Sequence, residues 1–240
     1  MDKNERESTY DSSLRDIQHF RLHPELLPFV GTGYSTYQIL LIGESHYLPK
    51  DTGVMPADFA DWYKTATSAV FSARDREYFT TRTVVSTFLG GDRRGDGGRT
   101  MFSRPEAAWQ EILGDPRATF DSFAFFNYFQ RPERRHGNSI DADATDREQA
   151  YVIAENIFAV LQPDLIVFLS KRAYNAYIGE REKHVDHYDT RLCRTSHPTC
   201  PWWYRSKKWG KQHFVKEVET YLTSCGYLPE RDLTLAENAV

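Results

Sequence analysis

Cysteine is scarce in this chain: three in 240 residues, Cys193, Cys200 and Cys225. That number is too small and too odd for a disulfide framework, and it excludes an iron–sulfur cluster held by four thiolates. Uninterrupted apolar runs are also short. None approaches the roughly 20 residues of a membrane-spanning helix, and the chain does not open on a secretory signal pattern. A monomer in a reducing cytoplasm, with no membrane partner, is the expectation. Neither sign of charge dominates, with 30 Lys and Arg against 34 Asp and Glu and a net charge of −4. Bulk attraction to a polyanion is therefore excluded, and a nucleic acid would have to be met by a local basic patch. Repeats and low-complexity linkers are absent, which favours a single domain over 1–240. Residues 1–36 are expected as an N-terminal helical extension and 223–240 as a C-terminal tail. The glycine-rich stretch GGDRRGDGGR, Gly90 to Arg99, lacks the Gly-Lys-Ser/Thr ending of a phosphate loop, which excludes a nucleotide hydrolase on that motif.

What the chain does have is a rhythm of short apolar runs separated by helical patterns, the mark of an α/β fold. Strands are expected over Tyr37–Ile42, Ser122–Phe126, Asp164–Leu169 and Thr190–Thr195. The first and third are almost continuously apolar, as suits parallel strands covered on both faces. Helices are expected over Ser13–Leu26, Ala57–Val70, Asp75–Leu89, Pro105–Leu113, Asp146–Leu161, Lys171–Ile178 and Lys211–Ser224. The fold class is then a three-layer α/β/α sandwich around a mostly parallel four-stranded sheet. On this map Gly43-Glu44-Ser45-His46, Asn127, Ser170-Lys171 and Ser196-His197-Pro198 all fall just beyond the carboxyl ends of strands. That edge is where open α/β sheets bind ligands.

The segments LLIGESHY, FAFFNYF, PDLIVFLSKRAYNAY and RTSHPTCPWW, in that order, resemble the uracil-DNA glycosylase superfamily over roughly residues 37–222. The resemblance implies a protein that extrudes a base from DNA, stacks it on an aromatic ring, reads its edge and hydrolyses the N-glycosidic bond, without a cofactor or a metal. His197 would donate a hydrogen bond to the departing base, and Asn127 would read its edge through one amide. Gly43, Tyr47, Ser196 and Pro198 would shape the base pocket. Several branches of the family place Asp or Asn where this chain has Ser45. Another has Glu at the position of Glu44 but follows it with a small residue, Pro and Gly, and carries four cysteines. Glu44 is thus the first candidate to activate water, His46 the next, and Ser45 a poor base. Glu44, Asn127 and His197 are required to line one cleft.

Beyond the His-Pro pair, PWWYRSKKWGK interleaves Trp202, Trp203, Tyr204 and Trp209 with Arg205, Lys207, Lys208 and Lys211, a pattern suited to phosphates and stacked bases. With Ser170 and Lys171, the residues Trp202, Trp203, Arg205, Lys207 and Lys208 form the expected contact set for single- or double-stranded DNA. The loops at Gly90–Arg99 and Gln130–Asn138 are further basic candidates. Three other readings stay open. One is a nucleic-acid or modified-base binding protein of the same fold without catalysis. Another is a serine hydrolase using Ser45, His197 and Asp186 or Asp189. The third is a zinc site drawing on Cys193, His197, Cys200, His184 and His187.

Overall fold

The computed structural model describes residues 8–54, 61–66, 70–91, 97–133 and 140–229, with the backbone alone for 97–99. In chain order the elements are α1 (Asp11–Asp16), α2 (Gln18–Leu22), β1 (Phe29–Val30), α3 (Tyr34–Tyr37), β2 (Ile39–Tyr47), α4 (Ala73–Phe79) and α5 (Thr81–Leu89). There follow α6 (Gly97–Leu113), β3 (Ala124–Glu133), α7 (Ala144–Leu161), β4 (Leu165–Phe168), α8 (Lys171–Arg181), β5 (Arg191–Arg194), α9 (Trp202–Arg205) and α10 (Lys211–Ser224).

The sheet has five strands in the order β1-β3-β2-β4-β5, so the expected α/β class holds with one strand more than expected. The four longer strands run parallel, and the additional strand, β1, pairs antiparallel with β3 at the edge. Alternate residues of each strand enter two separate cores. Leu40, Ile42, Phe126, Ile166 and Phe168 pack with α1, α2, α7 and α8 on one face. Ile39, Leu41, Phe125, Leu165 and Val167 pack with α5, α6 and α10 on the other. Continuous apolar runs are what a sheet covered on both faces requires.

Local chemistry sets some element boundaries. Asp143 caps α7 by accepting from the Asp146 N–H, while the Asp146 carboxylate accepts from the Asp143 N–H. This reciprocal box starts the helix two residues before the expected Asp146. The helix expected over 75–89 is instead α4 and α5, broken at Thr80, whose backbone is extended (φ −64°, ψ 108°). The expected Ser13–Leu26 helix breaks likewise at Ile17 (ψ 124°). Of the expected 57–70 helix, 57–60 and 67–69 lie outside the described residues, and 61–66 form turns rather than an α-helix.

The N-terminal segment belongs to the core. Leu14, Phe20, Leu26 and Tyr34 are fully buried or nearly so. Arg82 of α5 donates two hydrogen bonds to the Asp11 carboxylate, at 2.6 and 2.8 Å, and a third to the Pro28 carbonyl at 2.9 Å. Gly31 passes so close to the Asp121 carbonyl that a Cβ would lie 2.0 Å from its oxygen.

The topology also fixes where a cleft opens. From β2 the chain leaves over the α5/α6 face to reach β3 on one side. It then crosses the opposite face through α7 to β4 on β2's other side, and continues outward through α8 to β5. Connections therefore diverge above the carboxyl ends of β2 and β4, and at such a switch point the loops part to leave a crevice.

Candidate cleft at the carboxyl edge of the sheet

The polar corner of β2 is strand, not loop. Glu44, Ser45 and His46 are only 8, 4 and 3% exposed. β3 extends in parallel beside them, with Ser45 opposite Phe129, and a register irregularity follows before Tyr47 meets Glu133. Asn127 is accordingly interior to β3 rather than at its end, directly opposite Gly43. The missing side chain of Gly43 makes this pairing possible, because a Cβ there would lie 2.1 Å from Asn127 Oδ1 and 3.0 Å from the Phe125 ring. Asn127 Nδ2 also makes a long 3.4 Å contact with His46 Nδ1. Burial pushes the His46 imidazole down to about 4, so the ring is neutral at physiological pH.

One position before this buried pair, Glu44 meets the start of α8. Ser170 caps that helix by accepting from the N–H groups of Arg172 and Ala173, at 3.1 and 3.3 Å. Its hydroxyl donates to Glu44 Oε2 at 2.5 Å. The carboxylate is thereby fixed through one oxygen at the positive end of an eleven-residue helix, and the buried Oε1 has no hydrogen-bond partner among the described residues.

His197 enters from the loop after β5. Thr195 ties the loop to β4 through two bonds to the Phe168 carbonyl, 2.8 Å from its N–H and 3.2 Å from its hydroxyl. Arg104 of α6 donates to the Pro198 carbonyl, and to that of Cys200 at 3.3 Å. Pro198 is buried in this clamp and shapes the loop. His197 Nδ1 accepts from the Thr199 N–H at 3.3 Å and sits 2.7 Å from its hydroxyl. Burial lowers the pKa of the ring below the usual histidine range, and the charge of Glu44 partly opposes that shift. With Nδ1 accepting, the neutral ring carries its proton on Nε2.

These groups line one cleft of about 680 Å³, which Glu44, Ser170, Lys171, Ser196 and His197 enter from three successive strand ends. The size suits a small-molecule or single-base site. Asn127 does not line it, and neither do Gly43, Ser45, His46 or Tyr47. The expectation that Glu44, Asn127 and His197 share one cleft is therefore not met: Glu44 and His197 share it, while Asn127 is one strand removed and packed on Gly43.

The aromatic and basic stretch divides. Trp202 is 62% exposed and lines the cleft, while Arg205, Lys207 and Lys208 are exposed beside it. Trp203, expected at a nucleic-acid surface, is instead a fully buried core residue 5.7 Å from the Phe214 ring. Adjacent residues of a short helix turn point about 100° apart, so one of the tryptophan pair goes inward. Within the two basic loops, 92–96 and 134–139 lie outside the described residues. Arg172 and Asn175 also line the cleft without having been singled out by sequence, and Trp209 of the aromatic and basic stretch joins them. Arg104, which holds the His197 loop, comes from a distant helix and carries no local sequence signal.

The hydrolase constellation is not assembled. Ser45 is buried away from the cleft, His197 Nδ1 is engaged by Thr199, and the Asp189 side chain is 99% exposed. Nor is the zinc set. Cys193 packs in the core on the α10 face, whereas His184 stacks on Tyr151 of α7 across the sheet, 4.6 Å between centroids. Among the described residues no group of three or more His, Cys, Asp and Glu is placed to hold a metal ion. Among them also, no helix is long and apolar enough to cross a membrane. A scan against protein-family models finds no match to the chain, and a search of curated proteins finds none either.

Proposed function

We propose that the chain is a DNA glycosylase of the uracil-DNA glycosylase type, hydrolysing the N-glycosidic bond of a uracil or another damaged or modified base. The observation that carries this reading is the shared cleft of Glu44 and His197 at the switch point, with the carboxylate anchored by Ser170 and the imidazole kept neutral by burial. Glycosidic cleavage builds positive charge on the sugar and negative charge on the departing base. The Glu44 carboxylate, held by Ser170, positions and polarises the attacking water beside the sugar. The Nε2–H of His197 donates to the base as charge accumulates there, without protonating it outright. Trp202 lines the cleft and Arg205, Lys207 and Lys208 are exposed in the same stretch of chain, a combination of aromatic faces and cations that suits unstacked bases and phosphates.

The test is a panel of oligonucleotides carrying uracil, hypoxanthine, xanthine or alkylated bases, assayed for abasic sites. Glu44→Gln and His197→Ala should each lower the rate on the active substrate by roughly 10²–10³-fold. A chain that binds these oligonucleotides but forms no abasic product from any of them is not a glycosylase. The second reading, a base-binding protein without hydrolysis, is favoured by one observation: Asn127 lies outside the cleft, so the base edge is not read as in the catalytic relatives that the sequence resembles.

A further inference from the structure

Arg194, the last residue of β5, has no place in the chemistry above, yet it occupies an unusual position. Its guanidinium lies 3.7 Å from the centroid of the Trp209 ring and 5.7 Å from that of Tyr174, forming a Tyr174–Arg194–Trp209 stack. Among the described residues its guanidinium makes no ion pair and no hydrogen bond, while its backbone pairs in the sheet opposite Phe168.

Trp209 is held as firmly as a loop residue can be. Its N–H donates to Ser206 Oγ at 3.0 Å, and its carbonyl accepts from the Ser196 N–H at 2.5 Å. His213 packs edge-on against the ring, with centroids 5.3 Å apart. The following Gly210 closes the turn so tightly that a Cβ would lie 2.4 Å from the Trp203 carbonyl oxygen. Trp209 lines the cleft and Arg194 does not, so the ring is backed by a cation on one side and offers the cleft its remaining surface.

A cation over one face of an aromatic ring uses the electron density that a second cation would need, and repels it through the ring. The surroundings act the same way. Lys208 Nζ is 5.1 Å from the Trp209 centroid, and Lys171 and Arg172 line the cleft against a single carboxylate, Glu44. We propose that Trp209, backed by Arg194, is the stacking platform of this cleft, and that the pair selects neutral or electron-rich planar bases over cationic, ring-alkylated ones. The proposal rests on the glycosylase reading only for the identity of its ligand as a nucleobase.

Two nucleosides of nearly equal size separate the outcomes: adenosine, neutral at pH 7, and 1-methyladenosine, a cation there. Binding to the whole chain is followed by calorimetry or by ligand-observed magnetic resonance. Adenosine should bind about tenfold more tightly than its methylated counterpart. Arg194→Gln should erase most of that preference, Trp209→Ala should abolish binding of both, and Trp209→Phe should retain a weakened preference. Circular dichroism establishes that each variant is folded. Equal affinities in the parent chain, a preference unchanged in Arg194→Gln, or no saturable binding of either nucleoside overturns the proposal. Failure to form abasic sites, with the nucleoside preference intact, would count against the glycosylase reading alone.

Discussion

At the scale of single residues, Gly43 shows how a small side chain can be dictated by its neighbour across the sheet. Its backbone is ordinary strand, and the constraint is the Asn127 amide, which occupies the space of a Cβ. Gly43→Ala should destabilise the fold by about 1–3 kcal/mol, the usual cost of overpacking a tight site. Thermal or denaturant unfolding measures this directly. Because Glu44 follows in the same strand, the displacement should also lower activity on any oligonucleotide substrate. A stable variant with unchanged denaturation midpoint would mean that the Asn127 side chain moves aside freely, as a base-reading amide would have to.

At the scale of elements, the decisive joint is between β2 and α8. Ser170 serves both as helix cap and, among the described residues, as the sole hydrogen-bond donor to the Glu44 carboxylate. Ser170→Ala should cost about 1 kcal/mol for the cap, and about 1–3 kcal/mol more for leaving a buried carboxylate oxygen unmatched. Ser170→Thr should restore most of this, and equal denaturation midpoints for the two variants would sink the shared role. The strand and helix that meet here were legible in sequence to different degrees. LLI and LIVF announce buried parallel strands by unbroken hydrophobicity. The continuation of β2 through Glu44, Ser45 and His46 was not legible, because polar residues after an apolar run read as a loop. What holds them in the strand is the parallel neighbour β3, a partner some 80 residues away. Glu44 and His197 could be placed together because each follows the end of an expected strand in an α/β rhythm, although the strand before His197 is only weakly apolar. The burial of Trp203 and the Arg194–Trp209 stack depend on which way a short turn winds, and composition does not encode that.

At the scale of the whole molecule, burial of histidine sets a limit on acid stability. Packing drives His46 down to about 4. Burial, together with the neighbouring His23 and His46 rings, drives His19 to about 3. Unfolded, each binds a proton near 6.5. Between those values the unfolded chain holds more protons than the native one, so stability is complete above about 6.5 and falls as pH drops toward the folded values. The loss should reach a few kcal/mol. It would be read as a denaturant midpoint that declines from neutral pH to about 4 and declines less in His46→Gln. A flat midpoint across that range would remove the histidines from the explanation. The N-terminal segment carries a different consequence, for the order in which the chain is completed. Asp11 needs Arg82, Gly31 needs Phe123, and the Tyr34 hydroxyl needs the Leu161 carbonyl. As the polypeptide leaves the ribosome, this segment therefore emerges ahead of its partners, and Phe29 of β1 waits 96 residues for Phe125 of the strand it pairs with. A nascent chain of this design is at its most vulnerable to aggregation and proteolysis just before α7 appears.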